Sequence, residues 1–352
     1  MPPSRPQREN ATTLSDCQPS IPLVATAKPL VAVVLRRCVA AGNMNFMKTL
    51  GLCAALTLLA ACATAPAEAQ SQAAAVCSPA GYDRARLDAL KAGGWTIADD
   101  AERNAVALGL AECLGDRDPA VRDGIAFEGL QHYMRQNLLT RETLTALNAN
   151  LQAKLTAADP LGFQRPFAAL VLADVARTDR VAPWMSEAQR AELIDSSIAY
   201  LRGITDYRGF TPGEGYRHAT AHASDLMLQL VLNPAIGKAD LIRIRDAIAS
   251  QIAPARHSYI TGESERLATP ILYMATRNVF DEAEWTAWFT EISGPGPLGA
   301  SWEGWWLSEQ GISRRHNLMM FLNVVQTNVS LSQNAAFAPM RPGVVAAIRA
   351  MP

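Results

Sequence analysis

No run of lysine and arginine occurs in this chain, and no basic patch with aromatics interleaved. That argues against nucleic acid as a partner. Charge is sparse, at 18% of 352 residues, while 49% are hydrophobic. Such a balance fits a well-packed globular protein long enough to bury a sizeable core. No stretch shows the sustained two-residue alternation of a half-buried sheet. No phosphate-binding loop is present: Gly294-Pro295-Gly296-Pro297 lacks the following Gly-Lys-Ser/Thr. A G-x-S-x-G nucleophile elbow is also missing. Histidine is scarce, with five in all, so their placement carries weight.

The longest apolar run lies near the N-terminus. Residues Met44 to Cys62 read MNFMKTLGLCAALTLLAAC. Lys48 supplies a basic n-region and Thr49 to Ala61 an apolar h-region too short for a permanent membrane span. Leu59-Ala60-Ala61-Cys62 matches the lipobox of bacterial lipoproteins. Its chemistry is defined: the Cys62 thiol takes a diacylglycerol, and cleavage leaves that residue first in the mature chain. Two acyl chains hold a membrane firmly where one is marginal. The alternative is an ordinary signal cleaved after Ala67-Glu68-Ala69, releasing a soluble periplasmic protein. Residues 1–43 fit no targeting pattern and read as a gene-model extension or a disordered leader. Removing residues 1–61 takes six basic and two acidic residues, which leaves a mildly acidic mature chain.

Residues 63–77 read as a flexible tether rich in Ala, Gln, Pro and Ser. Cys77 and Cys113 would then sit in an oxidising compartment, either as a disulfide or as two small buried hydrophobes. Residues 78–335 read as an all-α domain of about ten helices, an α-solenoid or αα-toroid. Residues 336–352 read as a tail with a short helix. Asp118-Pro119 looks like an N-cap followed by proline at the first helical position. Ser186 and Gln189 have capping-box spacing. A proline at 270 predicts a bend in a helix over 263–277. Five tryptophans cluster late, at 285, 288, 302, 305 and 306. Stacked aromatics can bind sugars, but large aromatics in helical arrays usually fill the core.

The densest chemistry is RGFTPGEGYRHATAHASDL, residues 208–226. A Gly/Pro-bearing loop leads into a predicted helix over 215–232. At about 100° per residue, His218, His222 and Asp225 share one stripe, hemmed by apolar neighbours. Arg217, Thr220 and Ser224 fall on a separate strip, the expected solvated face. Three readings of the stripe stay open. It could hold a metal such as zinc, with His218, His222 and Asp225 as ligands and Glu214, Glu263 or Glu265 completing the set. A zinc-protease helix of the HExxH type is not one of the options, because Ala219 stands where the glutamate is needed. It could wall a metal-free pocket with Arg208, Glu214, Tyr216, Glu265 and Arg266. It could also be a buried His–Asp network that locks helices together. Arg315-His316-Asn317 is a further candidate partner.

These residues resemble the central motif of the bacterial domain of unknown function 2785 family, R-G followed by G-[WY]-x-H-x-x-x-H-x-x-D. Arg208, Gly209, Gly215, Tyr216, His218, His222 and Asp225 match it; Tyr216 stands where tryptophan is the more frequent residue. Glu265-Arg266 and the segment 317–322 resemble its later parts. The resemblance spans about residues 80–335 and implies a helical, HEAT-like domain. It implies no activity.

Two functions are expected to compete. One is an envelope-anchored binding or scaffold protein with a protein, small-molecule or glycan ligand. The other is a hydrolase using His218 and His222 as metal ligands or general base, with Asp225 orienting one of them. The anchoring expectation has a direct check. A Cys62→Ser chain should move from the membrane to the soluble fraction on cell fractionation; unchanged membrane association would refute lipidation at that residue.

Overall fold

The computed structural model describes residues 77–352. The leader, the signal segment, Cys62 and the tether up to residue 76 lie outside the described residues. Helices account for the fold almost entirely. They are α1 (Arg84–Ala92), α2 (Asp100–Leu110) and α3 (119–135), then α4 (Arg141–Thr156), α5 (Gln164–Val181) and α6 (Glu187–Arg202). A two-stranded hairpin follows, β1 (Phe210–Thr211) with β2 (Gly215–Tyr216). The chain continues as α7 (Ala219–Leu232), α8 (Lys238–Ile252), α9 (Glu263–Ala275), α10 (Glu282–Ile292), α11 (Glu309–Leu331) and α12 (Arg341–Ala350). Among the described residues no helix is long and apolar enough to cross a membrane.

Short polar side chains start most of these helices by accepting the N–H groups that have no partner inside the helix. Asp83, Asp99, Asp118, Thr140 and Ser308 do so singly. Ser186 with Gln189, and Asp281 with Glu284, form reciprocal capping boxes. Asp118 accepts from the Ala120 amide at 2.9 Å with Pro119 at the first position. The start of α5 is capped differently. The Asp159 carboxylate, from the preceding turn, accepts amides of Gly162, Phe163 and Arg165. α9 runs on through Pro270.

From α2 onward most helices pack on the helix two further along the chain. α3, α5, α7, α9 and α11 form one row by successive contacts, and α2, α4, α6 and α8 another. Helix α7 lies at the centre, against α5 and α9 in its own row and α6 and α8 in the other. Enclosure on so many sides leaves it no solvated face. Arg217, Thr220 and Ser224, expected to be wet, are buried. Their polar groups find partners instead. Ser224 donates to the Thr220 carbonyl at 2.7 Å, and the Thr220 hydroxyl lies 3.5 Å from that of Tyr259. Alanines 219, 221 and 223 keep the first turns of α7 slim enough for this crowding.

The segment 336–352, expected as a tail with a short helix, carries that helix as α12 and packs on the domain. Met340, Val344 and Ala347 are buried, and a Cβ on Gly343 would come 2.9 Å from the Thr286 backbone of α10. The helix expected over 215–232 begins only at Ala219; Gly215 and Tyr216 form the second strand of a short hairpin. Trp285 and Trp288 fill the core, whereas Trp306 is exposed.

Cys77 and Cys113 are joined by a disulfide, with Cα atoms 5.2 Å apart and a sequence separation of 36. Loop-closure entropy for a ring of that size is worth about 3–4 kcal/mol. Cys77→Ser with Cys113→Ser should lower the unfolding free energy by about that amount. Urea titration of oxidised and variant protein checks this, and an unchanged midpoint would contradict it.

Candidate functional site

The motif loop folds because its residues suit a tight reversal. Pro212 and Gly213 occupy the centre of a turn in which the Glu214 amide donates to the Thr211 carbonyl at 3.1 Å. Gly213 has φ 80°, a conformation that costs glycine little. The strands pair Phe210 with Tyr216 and Thr211 with Gly215. Pairing continues one step further, where the Arg217 amide donates to the Gly209 carbonyl at 2.9 Å. Gly209 serves close packing: a Cβ there would lie 2.3 Å from Thr261 Oγ1.

Helix α7 starts one residue after His218, which sits at its N-cap with φ 53°. The left-handed backbone turns the hairpin into the helix. His218 therefore reaches His222 from the cap and not from a regular turn. Their rings meet edge to face with centroids 5.9 Å apart. His218 also lies against Tyr216, at 4.3 Å, and Tyr216 against Phe210, at 5.0 Å. His222 is only 7% exposed and packs edge to face on Phe167 at 5.0 Å.

Neither imidazole is fully satisfied. His218 Nε2 and His222 Nδ1 are buried without a hydrogen-bond partner. Burial is the main force on both, and it favours the neutral rings. His222 is pushed far below the usual histidine range, helped by the charges of His218, Arg266 and Arg122; only the Pro166 carbonyl opposes this. His218 is lowered less, because Glu263 and the Thr261 carbonyl favour its charged form.

Asp225, expected beside the histidines, belongs to another partnership. Arg266 of α9 binds it through two parallel contacts, Nε to Oδ1 at 2.8 Å and Nη2 to Oδ2. Two candidate site residues are thus brought together, as an ion pair that ties α7 to α9. Glu265 points outward and is exposed. Glu263 is buried, and its carboxylate accepts the Thr261 amide at 2.9 Å and the Thr261 hydroxyl. Arg208 is spent on Asp206. Among the described residues no three His, Cys, Asp or Glu side chains gather as a metal-holding group. The expected ligands His218, His222 and Asp225 therefore do not fit zinc as they stand. His316 approaches the Tyr259 carbonyl at 3.3 Å, and Asn317 accepts the Tyr259 amide at 2.8 Å. Both fasten the 253–262 loop to α11.

Glu214 is a clamp between two cations. Arg117 Nε donates to it at 2.6 Å and Arg217 Nη2 at 2.8 Å. Arg217 and Arg117 hold its carboxyl below the usual carboxylate range. Its carbonyl accepts Arg122 Nη2 at 2.8 Å. Arg122 is 0% exposed and lies over the rings of Phe163, at 4.0 Å, and Phe167, at 4.8 Å. It opens a π-helical stretch, Arg122–Phe127, within α3. Arg217 rests on Phe163 too, at 4.1 Å. Sequence reading passed over Arg122, Phe163 and Phe167. The only available signal was an arginine in the apolar pattern of a helix start, and contact across 92 positions is not written in any local spacing.

A cavity of about 290 Å³ adjoins this cluster. It lies between the turn from α4 to α5, the end of α6 with the segment 203–206, and the motif residues Arg217 and Ala219. Leu155, Pro166, Ala199 and Ile204 give it apolar walls. Asp159, Arg165, Tyr200 and Asp206 supply polar groups. The Tyr200 hydroxyl is buried without a partner, and burial raises its pKa far above the ordinary value. It is a neutral phenol able to donate and accept. None of the eight residues expected to form a pocket lines this cavity.

The whole is an all-α domain in which a hairpin, clamped by arginines, caps a buried histidine helix beside a small cleft. The chain belongs to the family described as "Protein of unknown function (DUF2785)", whose model matches residues 136–326. That match contains the hairpin, α7, α9 and every lining residue of the cavity. No curated protein and no solved structure gives a significant match to this chain.

The neutral histidines make stability depend on pH. His222 binds fewer protons in the folded chain than in the unfolded one between its lowered folded pKa and about pH 6.5. Stability should hold above that value and fall as pH drops through it, by up to about 1.4 kcal/mol per pH unit for one such group. His222→Phe should flatten the fall between about pH 6.5 and 5, as read from urea midpoints. An equal slope in wild type and variant would mean that His222 is not the group involved.

Proposed function

We propose that this protein is an envelope-anchored periplasmic lipoprotein whose HEAT-like helical domain binds a small molecule in the cleft beside the family motif. The observation that carries the binding reading is Tyr200, which lines a cavity of mixed apolar and polar walls and whose hydroxyl is buried and unpartnered. A polar group kept from water costs stability unless something meets it, and a ligand oxygen or nitrogen would do so. Arginines and carboxylates are balanced in the lining, which suits a neutral or zwitterionic ligand with an apolar body. The Cys77–Cys113 disulfide supports export, since such bonds persist in oxidising compartments. The lipobox at Cys62 supplies the anchor.

The hydrolase reading draws less support. It needs Asp225 to orient an imidazole, and Asp225 is held by Arg266. Of its two candidate bases, His222 is buried, and His218 lies against Tyr216.

Ala199→Trp would fill the cleft from α6 and leave every residue of the motif helix unchanged. A fragment library screened by saturation-transfer NMR should give binders with wild type that Ala199→Trp loses, while Tyr200→Phe weakens those carrying a hydrogen-bonding oxygen. Identical binding in all three proteins would rule out this cleft as the site.

A further inference from the structure

The face that carries the hairpin also exposes large apolar side chains that the helical core leaves out. Ile260 is 81% exposed, Leu307 78% and Trp306 58%; Phe210, Tyr216 and Ile312 are exposed as well. Observed contacts connect them. Phe210 and Tyr216 pack on each other across the hairpin with tilted rings. Gly209, beside Phe210, is pressed on Thr261, beside Ile260. The 258–260 segment is fixed along α11 by Ser258 Oγ to Ser313 Oγ at 3.0 Å and by His316 at the Tyr259 carbonyl. Ile312 lies on that same turn, and Gly311 touches the Trp305 backbone next to Trp306 and Leu307. Contiguous exposed apolar surface of this kind marks an interaction site.

We propose that this face rests on the bilayer, with its aromatic and aliphatic side chains in the headgroup region of zwitterionic lipid. The proposal builds on the anchored reading above. Residues 63–77 reach at most about 50 Å from a lipid on Cys62, so the domain cannot stray far from its membrane. The tether also ends close to the hairpin. Cys77 is bonded to Cys113, whose carbonyl accepts the Asp116 amide, and the next residue, Arg117, binds Glu214 in the hairpin turn. Tyr and Trp prefer the bilayer interface, and aliphatic side chains add burial there. Glu303 and Glu309 on one hand and Arg315, lying over Trp305, on the other leave the patch without a cationic excess, which suits zwitterionic lipid better than anionic lipid.

The test uses processed protein extracted from membranes and reconstituted in phosphatidylethanolamine–phosphatidylcholine vesicles with brominated acyl chains, which quench tryptophan on contact. Wild type should be quenched, and Trp306→Phe should lose most of that quenching. A Phe210→Ser, Ile260→Ser variant should also be quenched less, with an unchanged melting curve, and added salt should have no effect. Absence of quenching, or equal quenching in Trp306→Phe, would overturn the proposal. So would a wild-type dimer in light scattering that the double variant abolishes, which would assign the face to a second copy of this chain. Mass spectrometry of the N-terminus reads the anchor separately. If Cys62 is bare, the anchored reading fails, and quenching by excess vesicles still decides the fate of the face.

Discussion

A guanidinium with no contact with solvent sets the geometry of the motif region. Arg122 lies over two phenyl rings, pairs with Asp123, and donates to backbone carbonyls on both sides of the interface it fills. A buried cation is tolerated only when charge and hydrogen bonds are satisfied together, and here both are. The bond to the Glu214 carbonyl fixes the hairpin on α3. Glu214 then gathers Arg117 and Arg217, and Arg217 shares the Phe163 ring with Arg122. Without this cluster the hairpin would lose its polar ties to α3 and the turn before it, and the cleft beside it would lose the Arg217 side of its wall.

Polar order of this kind separates the histidines from the acid that their spacing seemed to offer. The N-cap conformation of His218 lets its ring meet His222, while Asp225 turns to Arg266 on the neighbouring helix. The consequence is a pair of neutral imidazoles with unfilled nitrogens, held in place by Phe167 and Tyr216. Their chemistry is that of a buried, pH-sensitive element of the frame. The cleft takes its polar character from the turn between α4 and α5 and from Tyr200, residues well upstream of the histidines in sequence.

Exposed and buried aromatics divide the molecule's roles. Trp285 and Trp288 complete the core, where their area is most useful. Trp306 stands outside with Phe210 and Ile260, on a surface that a domain floating freely in water would have little reason to keep. The proposed anchor and the proposed bilayer contact would together hold the helical domain by the face that carries the hairpin, with the cleft beside it.

Helix content, most helix starts and the family were legible in the residue order, because capping groups act on amides two or three residues away and apolar spacing repeats every turn. Asp118-Pro119, Ser186 with Gln189 and Asp281 with Glu284 are local devices of that kind, and the motif spacing is local too. The hairpin was hidden by its brevity, since two-residue strands show no alternation. The burial of Arg217, Thr220 and Ser224 was decided by how many helices surround α7, and the partners of Arg122, Asp225 and Tyr200 by which segments meet across tens of positions. Those outcomes belong to packing, where a side chain's surroundings come from chain segments far away in the sequence and no nearby residue records them.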